Sequence, residues 1–218
     1  FYIEALGGSE AVAGMAVALF CVVSVVCRPF IGWMLDNGKR KMILAVGLLG
    51  MLLMPLGYLF LHTLVLAFVC RMVHGAALAF SNTSTATIAT DSVPRSRFAE
   101  GMGIFGLATA LATAVAPAIG LALMEKCGFS VLFLFGSLSI AIALVLFFLL
   151  QAPNIAVEKK PLSLKGLFDK NAVPASLTAV VFMFTYGALE NFAAKFAAEK
   201  GLPSGGLFFV IMAVTVLI

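Results

Sequence analysis

Six stretches of about twenty residues, each almost free of charge, restrict what this chain can fold into more than any other feature. A helix needs ~20 mostly apolar residues to cross the hydrocarbon core of a bilayer. The runs lie at about 11–31, with Arg28 as the only charge; 42–61, uncharged; 64–89, with Arg71 and His74; 102–123 and 129–150, both uncharged; and 172–194, with Glu190. A seventh run opens near Gly205 and reaches Ile218, the last residue, a length of about 21 Å if helical. That is too short to cross, and with Phe1 in first place the chain reads as a fragment of a longer protein. The runs are contiguous rather than alternating and far longer than barrel strands, so they predict helices. Of the 218 residues, 62% are hydrophobic and 11% charged, against about 45–50% and about 25% in soluble domains. The apolar excess must face lipid.

The charges between the runs give a second reading. Hairpin loops alternate sides of a membrane. One set, 32–41, 90–101 and 151–171, holds nine Lys and Arg; the other, 1–10, 62–63, 124–128 and 195–204, holds Lys126, Lys195 and Lys200. This bias places the first set in the cytoplasm. The net charge of +4 therefore reflects orientation against anionic lipid, with no nucleic acid as partner. In the longest loop, Leu164, Leu167 and Phe168 recur at helical spacing beside Lys165, Asp169 and Lys170, which predicts a short amphipathic helix at the membrane surface. The resulting division is a helical bundle over 1–150, a cytoplasmic loop over 151–171 and the start of a second bundle over 172–218. A faint echo relates Phe1 to Glu4 and Gly7 with Phe196 to Glu199 and Gly201, as internal repeats in transporters would.

Ionisable residues inside the runs mark candidate sites. An arginine at membrane depth costs roughly 2.5–3.5 kcal/mol on insertion scales, so Arg71 needs a partner or a wet cavity. Arg71, Gly75, Leu78 and Asn82 share a helical stripe. From Ser81 to Thr90, seven of ten residues carry a hydroxyl or amide, so one side of that segment should face a cavity or another helix. Thr185, Tyr186, Glu190 and Asn191 form a polar island in the sixth run; Asn82, Tyr186 and Glu190 are candidate cavity contacts, and a snorkelling Glu190 paired with Lys195 is the plainer alternative. Gly103, Gly106, Ala110, Thr113, Pro117 and Gly120 follow one another in steps of three and four, a small-residue seam for close helix packing.

The segment from Arg28 to Lys41 resembles the signature loop of the major facilitator superfamily, G-x-L-a-D-r-x-G-r-k. Gly32, Asp36 and Arg40 match in register; Asn37 replaces the usual base, and Gly38 arrives one residue early. Read physically, Gly32 permits close backbone approach, Gly38 a tight turn, and Asp36 can meet an arginine or a helix N-terminus. Arg71 to Gly75 resembles the family's R-x-x-x-G motif, which the resemblance links to proton coupling, with His74 as a further candidate. Asp91 to Gly106 resembles the entry to the carrier's fifth helix, where Asp91 and Arg97 can pair with the basic loop. The seam resembles the family's antiporter motif at Gly103, Pro117 and Gly120, with Ala112 and Ala116 where glycine is usual.

The resemblance covers the whole chain, from the end of a first helix to the start of an eighth, and implies an all-α polytopic bundle working by alternating access. Its details are most like the bacterial drug and metabolite efflux branch. The expectation is a multi-pass carrier of the cell membrane, a monomer as the full-length protein, that exports small molecules against protons. In it Gly32, Asp36, Arg40, Asp91 and Arg97 gate, and Arg71 and His74 couple. A proton-coupled importer of sugars or organic anions is the alternative. A membrane enzyme would need clustered ligands or a nucleophile with a base. His62 and His74 lie in different runs and the four cysteines are scattered, so neither cofactor nor metal is expected.

Overall fold

The computed structural model describes residues 2–60, 63–150, 161–163, 172–201 and 211. Among them every regular element is helical: α1 Tyr2–Ala5, α2 Glu10–Asp36, α3 Arg40–Phe60, α4 Leu64–Ser92, a 3₁₀ turn Arg95–Arg97, α5 Phe98–Leu149 and α6 Val173–Glu199. Each of the first six apolar runs is thus helical. The seventh, apart from Ile211, and the amphipathic helix expected around Leu164 to Lys170 lie outside the described residues.

Four elements, α2, α3, α4 and the segment Arg95–Leu149, have the length and hydropathy of a membrane span. At 1.5 Å per residue, α5 would be about 78 Å long if straight, more than twice a hydrocarbon core of ~30 Å. It is not one span. Gly128 inside it has φ 80° and ψ 177°, a conformation that only glycine adopts without strain. The sequence-predicted loop over 124–128 is therefore compressed into a single residue, and two helices meet there.

The chain forms two compact units, Phe1–Phe98 with Phe129–Leu167, and Ala99–Gly128 with Phe168–Ile218. In the first, α4 lies between α2 and α3. Its two crossings depend on glycine. A Cβ at Gly75 would sit inside the carbonyl group of Phe20 on α2, and one at Gly47 on α3 would overlap the backbone nitrogen of Ser81. Both approaches are backbone to backbone, as small residues allow in membranes. Ile31 and Leu35 of α2, Ile43 of α3 and Ala79 of α4 fill one core. Ile3, Ala16 and Ala67 fill another towards the opposite end.

The second half of α5 runs antiparallel to α3. Phe133 meets Tyr58, Ser137 donates to the Leu52 carbonyl, and Phe147 packs on the cluster of Leu44, Leu48 and Ile88. Two ends follow. Tyr2, Tyr58, Leu64 and Phe129 gather at one; Asp36, Arg40, Asp91 and Phe147 at the other. Large apolar residues such as Val25, Leu53, Val69 and Leu146 are exposed, which suits a lipid surround rather than water. The second unit is formed by the first half of α5 and α6. The echoed glycines Gly7 and Gly201 both have positive φ, 87° and 64°, each just past a helix, where a left-handed residue closes the last turn.

Candidate functional site

Thr63 caps α4, its hydroxyl accepting from the Leu66 N–H. Two turns further on, Arg71 sits where α2 and α3 converge on α4. Its guanidinium carbon is 5.7 Å from the centre of the Tyr58 ring and 6.0 Å from that of Phe20. Both distances are within cation–π range. His74, one turn along the same face, stands edge-on to Phe20 at 5.5 Å and tilted to Tyr58 at 6.1 Å. Tyr2 closes the aromatic end: its hydroxyl donates to the Tyr58 carbonyl at 2.9 Å, and its ring packs against Tyr58, Phe129 and Phe133.

Like the Arg40–Asp91 pair, the cage holds buried polar atoms without an aligned hydrogen bond; unlike that pair, it has no ion pair among the described residues. The Tyr58 hydroxyl, Arg71 Nε and His74 Nδ1 are each buried without a partner. Buried polar atoms are normally paired, and each exception needs a reason. No carboxylate pairs with Arg71 among the described residues; the ion pair described in the structure, Arg40 with Asp91 at 2.7 Å, lies at the other end of α4. Phe20, Tyr2 and Tyr58 were not legible as site residues, because an aromatic in a greasy run has the same appearance as core. The one available signal was that Tyr58 places a phenol in an otherwise uncharged span.

At the far end, the signature segment forms a tight corner. Gly38 has φ 85°, as its place in a turn requires. Asn37, in place of the usual base, caps α2, its Nδ2 donating to the Trp33 carbonyl. Arg40 and Asp91 are largely covered, 15% and 19% exposed, and tie the start of α3 to the end of α4. Asp36 is exposed and ends α2, where the helix dipole disfavours an anion. Arg97 lies in the 3₁₀ turn that follows α4. Among the described residues, no backbone approaches Gly32 closely, since a Cβ there would meet nothing within 4 Å. That role falls to Gly47 and Gly75.

The polar segment of α4 turns one side to another helix, with Ser81 against Gly47 of α3 and Ser84 fully buried. Four of its six hydroxyls are satisfied on their own helix: Ser84 donates to the Phe80 carbonyl at 2.6 Å, Thr85 to Ser81, Thr87 to Thr83 and Thr90 to Thr87. Such back-bonding lets hydroxyls exist at membrane depth without a cavity. Ser84 is fully buried and Asn82 exposed. In the second unit, Cβ atoms at Gly103 and Gly106 would meet nothing within 4 Å, and Pro117 and Gly120 are half-buried. Tyr186 and Glu190 fall on α6, their side chains outside what is described. Among the described residues no group of three His, Cys, Asp or Glu could hold a metal ion.

A polytopic helical bundle with lone ionisable groups at membrane depth is the form of a membrane transporter. The family model described as Major Facilitator Superfamily matches residues 1–218, and the chain belongs to that family. It is accordingly a multi-pass membrane protein of a family of secondary transporters for small molecules, not of enzymes. No curated protein and no solved structure matches it significantly.

Proposed function

We propose that this carrier is a proton-coupled exporter working by alternating access in the cell membrane, with loops 32–41, 90–101 and 151–171 in the cytoplasm. The observation that carries the reading is Arg71: a permanent cation within a span, held by aromatic faces and lacking an anionic partner among the described residues. An intramembrane charge is a functional hypothesis by default. Arginine keeps its proton at any working pH, so Arg71 acts as a fixed field and His74, one turn away, is the titratable group beside it. Substrate and proton then bias one inward–outward equilibrium in opposite directions.

Asp36, Arg40, Asp91 and Arg97, with Gly32, are proposed to latch the cytoplasmic end. Asp36 supports this, since an anion at a helix C-terminus is better placed once a cation from another element reaches it. Asn82, Tyr186 and Glu190 are proposed cavity contacts, Gly103, Pro117 and Gly120 packing positions, and 1–150 and 172–218 parts of separate bundles joined by 151–171. The test is transport by the intact protein in proteoliposomes under an imposed pH gradient. Gradient-driven transport is expected to collapse in Arg71→Ala, and an unchanged rate there would reject the coupling role.

A further inference from the structure

The carrier reading leaves open what the cage around Arg71 binds. Its three unpartnered atoms have one chemistry in common. The Arg71 Nε–H and the Tyr58 hydroxyl are donors, and His74 Nδ1 is a donor in one of its two tautomers. None of them is turned to a carbonyl, and no carboxylate pairs with the guanidinium among the described residues. Arg71 as a whole is half-buried, but its Nε is fully covered, and a cation drawn into a medium of low dielectric is poorly tolerated without an anion. The faces of Tyr58 and Phe20 attract the cation but accept none of these hydrogen bonds in the plane of the guanidinium. The rest of the surround is apolar: Phe20, Tyr2, Phe129 and Phe133 stand on or behind the cage.

We infer that Tyr58, Arg71 and His74 form the anchoring site for the carboxylate of a substrate that carries a single negative charge and an apolar body. Planar carboxylates fit the fork of an arginine two bonds at a time and have lone pairs left for a phenol and an imidazole. One cation calls for one negative charge; Arg28 lies in another run and is exposed, so a dianion would leave a charge uncompensated. The aromatic walls favour an aryl or alkyl body over a sugar, whose hydroxyls would go unpaired there. The inference rests on the carrier reading, and it adds the substrate class.

Equilibrium binding to the intact protein in nanodiscs tests it, with no pH gradient present. The probes are benzoate and hexanoate, with benzamide and hexanamide as neutral counterparts of the same shape, and the readout is the shift in thermal unfolding with ligand concentration. Both acids are expected to stabilise the protein and both amides to leave it unmoved. Arg71→Gln is expected to weaken the acids at least about tenfold, the equivalent of one charge-assisted hydrogen bond. Tyr58→Phe removes a single oxygen from an otherwise intact ring, so it keeps the test valid if Arg71→Gln does not fold; a loss of about threefold to tenfold is expected. Amides as effective as acids, no response to either acid, or undiminished acid affinity in both variants overturns the site. The coupling role is separable. If Arg71→Ala abolishes gradient-driven transport yet binds benzoate normally, the carboxylate site is wrong and coupling stands. If it loses benzoate and retains coupling, the site stands and the coupling role falls.

Discussion

The two ends of α4 carry polar residues in opposite conditions. In its first third, Arg71 and His74 are ionisable, buried in part and short of partners. In its last third, Ser84, Thr85, Thr87 and Thr90 are bonded to their own helix, and Asp91 is held by Arg40. One helix thus has an end whose carboxylate is held by charge, although Arg40 Nε and Asp91 Oδ2 make no aligned hydrogen bond, and an end whose ionisable groups have no such partner among the described residues. The number of polar residues does not separate function from structure in a membrane span; their unmet valence does.

Five substitutions break or sharpen that contrast. The largest effect on stability belongs to Gly75→Val, because Phe20 presents backbone and not a flexible side chain to the new atoms. Overpacking of this kind costs about 3 kcal/mol, read as a lowered unfolding midpoint in detergent. Next is Arg71→Met. If the guanidinium is retained for function, an apolar side chain of similar length raises stability by about 2 kcal/mol while transport is lost; a fall in stability would make Arg71 a structural residue. At the ion-paired end the sign reverses. Arg40→Ala and Asp91→Ala are each expected to lose about 1 kcal/mol, discounted for partial exposure, and the double variant no more than either alone. Smallest is Ser84→Ala. The hydroxyl bonds only within its own helix, so a loss of about 0.5 kcal/mol is expected despite complete burial, measured in the same unfolding assay.

Much of the fold was legible because twenty apolar residues in a row have few physical outcomes. The boundary between the fourth and fifth runs was legible too, but not its form. A loop was read over 124–128, with Lys126 in it, whereas helix persists on both sides and the non-helical backbone is confined to Gly128. At the site, Arg71 stood out as the lone cation of its run. Phe20 and Tyr58 did not, since their proximity to it comes from how α2 and α3 cross α4, which no local pattern encodes. The hydroxyl-rich segment was legible only in part: composition says that one side must meet another helix or a cavity, and only geometry says that it is a helix and that the preceding turn accepts four of the hydroxyls.

Gly75 and Phe20 have a mechanical consequence. The same residue that abuts α4 through its carbonyl also lays its ring on His74 and near Arg71. Any sliding of α2 along α4 therefore drags that ring across the cation, so displacement of a few ångströms is converted directly into a change of electrostatic environment. The contact works as a cam: an isotopic label on Phe20 would register the stroke of the carrier from within the cage itself.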